Sequence, residues 1–262
     1  MGKERTQICI SSVKSTLLNL FGFEKSPDNA DANPIITDAR EGKKVDRAVI
    51  YNPDAVAVWL YDKYPEKFAK AEEKSDISVS LRSVMPSVTP VCFASMYTGV
   101  MPEVHGIQKY EKPVLKVETL FDRMLAQGKK CAIVSTEGDS ISKIFLERDM
   151  DYFILPNIRR VNKKAMKLID EDKYDIIVIY NGNYDSNMHA KGPEGKKALK
   201  ALDMNIEFYS KLVDKLKSKT GHTYFYGFCP DHGCHLIDGN RGSHGLDMEE
   251  DMNVIHFYGF TK

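Results

Sequence analysis

Several features that would fix the class of this chain at once are missing from it. No apolar run approaches the roughly 20 residues that a membrane-spanning helix needs; the longest, such as Ile176-Ile177-Val178-Ile179-Tyr180, are far shorter. Neither sign of charge is in excess, since 37 Lys and Arg face 37 Asp and Glu with no long basic block. A nucleic-acid polymer and a membrane are therefore not expected as partners. The five cysteines (Cys9, Cys92, Cys131, Cys229, Cys234) are odd in number and share no CxxC spacing, which suits a reducing compartment and not a disulfide scaffold. Residues 1–7 carry neither the apolar core nor the small-residue cleavage site of a signal peptide, so a cytoplasmic location is the expectation. No internal repeat, low-complexity linker or shift in composition marks a boundary.

What remains is ordinary globular material, 262 residues with 42% hydrophobic and 28% charged side chains. That length suits one large domain able to bury roughly three quarters of its unfolded surface. Apolar spacing over residues 7–21 predicts a short helix, and the polar stretch 26–34 a loop, so residues 1–45 are read as an N-terminal extension. Beyond it, strands are expected at 47–51, 130–135, 152–155, 175–180, 223–229 and 253–258. Helices are expected between them at 55–70, 117–126, 140–147, 162–171 and 194–217. Strands apolar at nearly every position imply burial on both faces. The alternation predicts the α/β class, a three-layer α/β/α sandwich with a mostly parallel central sheet, in a single domain with no large cap.

In such sheets ligands gather beyond the carboxyl ends of the strands. Asp54, Asp185 and the pair Asp231-His232 each follow a predicted strand, and His189 and His244 lie close by in sequence. Asp185 and His189, four apart, would share one face of a helical turn; the neighbours Asp231 and His232 must point to different sides. Mixed carboxylate and imidazole donors favour zinc, manganese or iron over calcium or magnesium. Six such donors suffice for two divalent ions, zinc being the first expectation. Thr89, in Pro86-Ser87-Val88-Thr89-Pro90, supplies a hydroxyl that a two-metal centre would activate for in-line displacement. Residues 91–97 are expected to open a helix whose N-terminal amides steady an anion. Asp54 also suits a helix N-cap ahead of Ala55.

These residues carry a family resemblance. Thr89, followed ten residues later by Gly99 in Tyr97-Thr98-Gly99 and then by Pro102-Glu103-Val104-His105-Gly106-Ile107, resembles the nucleophile segment of the type I phosphodiesterase/nucleotide pyrophosphatase branch of the alkaline phosphatase superfamily. Tyr184-Asp185 through His189 to Gly192-Pro193, then Asp231-His232-Gly233, then His244-Gly245, resemble that branch's metal motifs in the same order. The resemblance implies an alkaline-phosphatase-like sandwich holding one ion on Asp185, His189 and His244 and a second on Asp54, Asp231 and His232. Thr89 would stand beside the second ion and form a covalent phospho-threonine intermediate. The implied substrate is a small phosphorylated molecule, a diester or nucleotide, with a phosphomonoester or a phosphonate as competitor. A metal-retaining relative without turnover is the reading from another class.

Three departures accompany the resemblance. Asn52-Pro53-Asp54-Ala55 replaces the usual strand-Asp-Gly, which leaves Asn52 as an alternative to Asp54. Cys92 stands where the family usually has an Asn that holds a phosphoryl oxygen, and Met188 where a Gly commonly precedes the His. Cys92 and His235 are assigned to substrate binding, His105 to a structural or outer role, and His222 and His256 to none.

Overall fold

The computed structural model describes residues 8–262; residues 1–7, on which the reading of the extreme N-terminus rests, lie outside the described residues. The strands are β1 (Arg47–Pro53), β2 (Ile77–Arg82), β3 (Cys131–Thr136), β4 (Asp151–Leu155), β5 (Ile176–Asn181), β6 (Tyr224–Phe228), β7 (His235–Ile237), β8 (Arg241–Ser243) and β9 (Asn253–Phe260). The first six helices are α1 (Ser12–Phe21), α2 (Pro34–Ala39), α3 (Val58–Lys63), α4 (Pro65–Lys74), α5 (Thr89–Thr98) and α6 (Pro102–His105). The rest are α7 (Leu120–Ala126), α8 (Ile141–Ile144), α9 (Ile158–Glu171), α10 (Asn183–Lys191), α11 (Lys196–Lys217) and α12 (Glu249–Met252).

Seven strands form one sheet in the order β2-β9-β6-β1-β5-β3-β4, and β7 pairs with β8 in a separate hairpin. β6, β1, β5, β3 and β4 are mutually parallel. β9 runs against both β6 and β2, so the sheet is mostly parallel, as the apolar runs imply. Period-two side-chain alternation then builds both outer layers. On β1, Ala48 and Ile50 join a core with α1, α5, α7 and α8, whereas Val49 and Tyr51 join one with α4, α9 and α11. The N-terminal helix α1 contributes Val13, Leu17 and Leu18 to the first of these cores, so residues expected as an extension pack as part of the layer.

One expected helix and one unexpected strand depart from the sequence reading. The single helix over 55–70 is broken at Tyr64, which takes φ −128°, and a new helix begins with Pro65 in its first turn. Proline has no N–H, and its ring clashes with a helical residue before it, so it starts a helix more readily than it continues one. β2 had no counterpart in the expected strands. It alternates Ile77, Val79 and Leu81 with Ser78, Ser80 and Arg82, the signature of a strand buried on one face only.

Ala55, two residues past the end of β1, adopts φ +64°, a left-handed conformation that costs a residue with a Cβ about 1–2 kcal/mol. Glycine would take this conformation without that cost. Ala55→Gly is therefore expected to raise stability by about 1 kcal/mol, read as a higher melting temperature; an unchanged or lower one would refute the strain.

His105, in α6, receives the Ile107 N–H on Nδ1 at 3.2 Å, so its proton is on Nε2, 2.9 Å from Ser95 Oγ. Burial pushes this imidazole down to about 4. Between pH 4 and the ordinary 6.5 the unfolded chain binds a proton there and the folded one does not, so stability falls as pH drops through that window. His105→Gln should flatten that part of the stability curve, measured as denaturation midpoints from pH 7 to 4; an unaltered slope would show that the ring titrates normally.

Candidate metal centre

The three neighbouring strands β6, β1 and β5 end side by side, and the residues just beyond them converge. Asp54 directly follows β1, Asp231 and His232 follow β6 across Cys229 and Pro230, and Asp185 and His189 lie on α10 after β5. Thr89 is the first residue of α5, and Gly99 closes that ten-residue helix at φ +75° with its N–H on Ser95 O. The Thr-to-Gly spacing in the sequence is thus one helix length. His244 follows the β7–β8 hairpin, which packs on α10.

Two clusters result. In the first, His189 Nε2 and His244 Nε2 lie 3.3 Å and 3.5 Å from Asp185 Oδ1 and 3.1 Å from each other. In the second, His232 Nε2 lies 3.3 Å from Asp54 Oδ1 and 3.4 Å from Asp231 Oδ2. The rings of His232 and His244 stack with centroids 4.0 Å apart, which joins the clusters. The second cluster is fully buried, whereas His189 in the first is half exposed. Within each cluster the donor atoms all lie within 4.8 Å of one another.

Each imidazole is oriented by a backbone carbonyl at Nδ1: His189 by Gly242 O at 3.0 Å, His244 by Ser87 O at 2.9 Å and His232 by Gly233 O at 2.9 Å. A carbonyl only accepts, so Nδ1 carries the proton and Nε2 presents a lone pair. The centre therefore brings lone pairs together with almost no hydrogen to share. Asp54 Oδ1, Asp185 Oδ1 and both oxygens of Asp231 have no hydrogen-bond partner of ordinary geometry, although the Ala55 and His232 amides are near enough to favour the charged form of Asp231. Burial, then the neighbouring Asp231 and Asp185, push the Asp54 carboxyl well above its usual range. Burial first, then His244, depresses His232, while Asp185 beside it raises His189. Unpaired acceptors at this density are costly unless cations occupy the space between them. The residue types and lone-pair directions fit two divalent ions of the zinc, manganese or iron type.

Thr89 Oγ1 stands 3.4 Å from Asp54 Oδ2 and 3.3 Å from His232 Nε2. Asp54, Thr89, Asp185, His189 and His244 line a cavity of about 490 Å³ that Lys112 and Asp139 also line. Sequence reasoning missed those two, and also Tyr180, which donates to Asp54 Oδ2 from the end of β5. The strand-end position of Tyr180 was a legible signal; Lys112 and Asp139, on loops without periodicity, gave none.

Several expectations are corrected. Asn52 is not an alternative to Asp54: its amide donates to Cys229 O at 2.6 Å and receives the Tyr97 hydroxyl at 2.7 Å. Cys92 does not reach the cavity but is fully buried, its sulfur 3.1 Å from Ser83 Oγ, with burial and Asp231 pushing the thiol up so that it stays protonated. His235 is likewise turned from the cavity and bonds Asp251 Oδ1 at 2.7 Å. The row of helix amides expected after Thr89 is also absent. Pro90 has none, and those of Val91 and Cys92 bond Val88 O, so the first turn offers an anion at most the Thr89 N–H. Met188, where the family commonly has glycine, is fully buried against Gly242 of the hairpin.

Among solved structures, the human ectonucleotide pyrophosphatase/phosphodiesterase 5 is similar with a TM-score of 0.62 at 10% identity, over 81% of this chain and 87% of that one. The murine protein of the same name gives 0.58 at 13% identity, over 74% and 58%. Phosphonoacetate hydrolase from Sinorhizobium meliloti 1021, in complex with phosphonoformate, gives 0.54 at 16% identity, over 72% and 56%. The chain thus spans somewhat over half the length of the latter two, and at these identities the likeness is one of fold. No curated protein matches the chain. The sequence itself matches, over residues 53–248, the family described as Type I phosphodiesterase / nucleotide pyrophosphatase. That span holds every residue of both clusters and Thr89, and the chain belongs to this family.

Proposed function

We propose that the protein is a metal-dependent phosphohydrolase, acting on a small phosphorylated substrate from a single catalytic domain, with Thr89 as its nucleophile. The observation that carries this reading is the position of Thr89 Oγ1, within 3.4 Å of Asp54 Oδ2 and 3.3 Å of His232 Nε2 at the wall of the cavity. The two clusters would each hold one divalent ion, zinc first among the candidates, on Asp185, His189 and His244 and on Asp54, Asp231 and His232. Such ions supply Lewis acidity, which eases ionisation of a hydroxyl and offsets charge on phosphoryl oxygens.

The protein's own groups do the rest. Ser87 O, Gly233 O and Gly242 O fix the three imidazole tautomers, and Tyr180 holds Asp54 from behind. The rigid first turn of α5 aims Thr89 at the cavity. In the first half-reaction the Thr89 hydroxyl gives its proton to solvent and its oxygen bonds phosphorus, while the ester P–O bond breaks and its electron pair leaves with the departing oxygen, which takes up a proton from solvent. Water then attacks the phospho-threonine, and Thr89 recovers its proton as phosphate or a monoester departs. The family's description supports a phosphodiester or nucleotide substrate; the similarity to a phosphonoacetate hydrolase keeps the phosphonate class in the same assay. The five free thiols suit a cytoplasmic setting.

The test is turnover of an aryl phosphodiester, an aryl phosphomonoester and a phosphonate with zinc or manganese supplied. The diester is expected to be cleaved fastest, chelation to abolish turnover, and Thr89→Ala to lower kcat by about 1,000-fold or more. Absence of turnover on all three, or Thr89→Ala as active as the parent, would sink the reading. Metal analysis of the same samples separates the enzyme from a degenerate relative, since a full two-ion complement favours the enzyme and one ion or none the degenerate reading.

A further inference from the structure

The segment that carries Asp231 and His232 is held in an unusual way. β6 ends at Phe228, and Pro230 has no N–H with which to prolong the ladder. Three successive carbonyls then lie in the interior, and each receives one buried side-chain donor from a different part of the fold. Asn52 Nδ2, on β1, donates to Cys229 O at 2.6 Å. His256 Nε2, on β9, donates to Pro230 O at 2.7 Å. Ser83 Oγ, just after β2, donates to Asp231 O at 2.6 Å.

The direction of each bond is forced, because a carbonyl can only accept. Tyr97 donates its hydroxyl to Asn52 Oδ1 at 2.7 Å, which fixes the amide the right way round. The Tyr258 hydroxyl lies 2.6 Å from His256 Nδ1, which must accept once Nε2 carries the proton. The buried thiol of Cys92 lies 3.1 Å from Ser83 Oγ, whose own proton is committed to Asp231 O, so the thiol is the donor there. Asn52, His256 and Ser83 are all buried, at 0%, 0% and 4% exposure. Satisfying lone buried carbonyls would account for any one of these bonds. It does not account for three on consecutive residues, approached from three parts of the fold and ending on Asp231, whose side chain belongs to one cluster and is followed directly by His232 of the same cluster.

We propose that Asn52, His256 and Ser83, the last oriented by Cys92, form a three-point clamp of positioning residues that sets the affinity of the Asp54/Asp231/His232 site for its ion. None of the three lines the cavity or supplies a donor atom to either cluster. The clamp gives roles to Asn52 and Cys92, which the metal centre does not use directly, and to His256. It rests on the two-ion reading above.

The test strips the full chain with a chelator and titrates it with Zn²⁺ by calorimetry, comparing wild type with Ser83→Ala, His256→Leu and His256→Gln. Wild type should bind two ions. Ser83→Ala and His256→Leu should bind one ion as wild type does and the other about 10–100-fold more weakly. His256→Gln, whose amide can still donate to Pro230 O, should recover most of that loss. Ser83→Ala removes a single oxygen and carries the test if His256→Leu does not fold. Variants that keep both affinities and only melt lower, or that weaken both ions equally, would overturn the clamp. Two ions in wild type with unchanged variants sinks the clamp alone, whereas fewer than two ions in wild type sinks the two-ion reading and the clamp with it.

Discussion

Everything about this fold is arranged around a local conflict: carboxylate oxygens and imidazole lone pairs are forced together with too few hydrogens between them. Asp54, Asp231 and His232 are fully buried and Asp185 partly so. Four of their carboxylate oxygens have no ordinary hydrogen-bond partner. Left to itself, such a cluster would relax by side-chain rotation or by taking up protons, the direction in which burial already pushes Asp54 and Asp231. It persists because the surrounding covalent and hydrogen-bonded frame leaves no room to relax. The carbonyls at the three Nδ1 atoms, Tyr180 on Asp54 and the donors behind Asp231 all act against relaxation.

The sheet supplies that frame cheaply. Three parallel strands packed on both faces must end in register, so whatever follows each one is delivered to the same rim without a dedicated loop architecture. The single antiparallel strand β9 adds His256 from the side. The asymmetry of the centre follows from the same geometry. The ligands that come straight off strands are buried, while the cluster built on α10 and the hairpin is partly open.

Much of this was legible in the sequence, for identifiable reasons. Runs such as Ile176–Tyr180 are apolar at every position, so burial on both faces and a parallel sheet follow from them, and polar residues at their ends mark the rim. The two ligand sets are local in sequence except for His244 and Asp54, and they came together as the motif order implies. What failed depended on contacts that spacing and periodicity do not reveal. Cys92 and His235 have the chemistry of substrate-binding groups, but Ser83, nine residues from the first, and Asp251, sixteen from the second, claim them. Asn52 reads as a donor next to the site, yet its two bonds go to Cys229 and Tyr97. Pro65 was visible and under-weighted: its ring breaks a periodicity that otherwise runs through it.

The hairpin contact on α10 has an evolutionary corollary. A Cβ built on Gly242 would lie 2.1 Å from Met188 Sδ and 2.9 Å from Met188 O, and the carbonyl of that same glycine orients His189. Where relatives commonly have glycine on the helix, this chain has a bulky thioether there and bare backbone on the opposing strand. Positions 188 and 242 are thus one steric unit: neither can drift alone without opening a void beside His189 or prising the hairpin from the helix. A lineage that exchanged one would be held to the other.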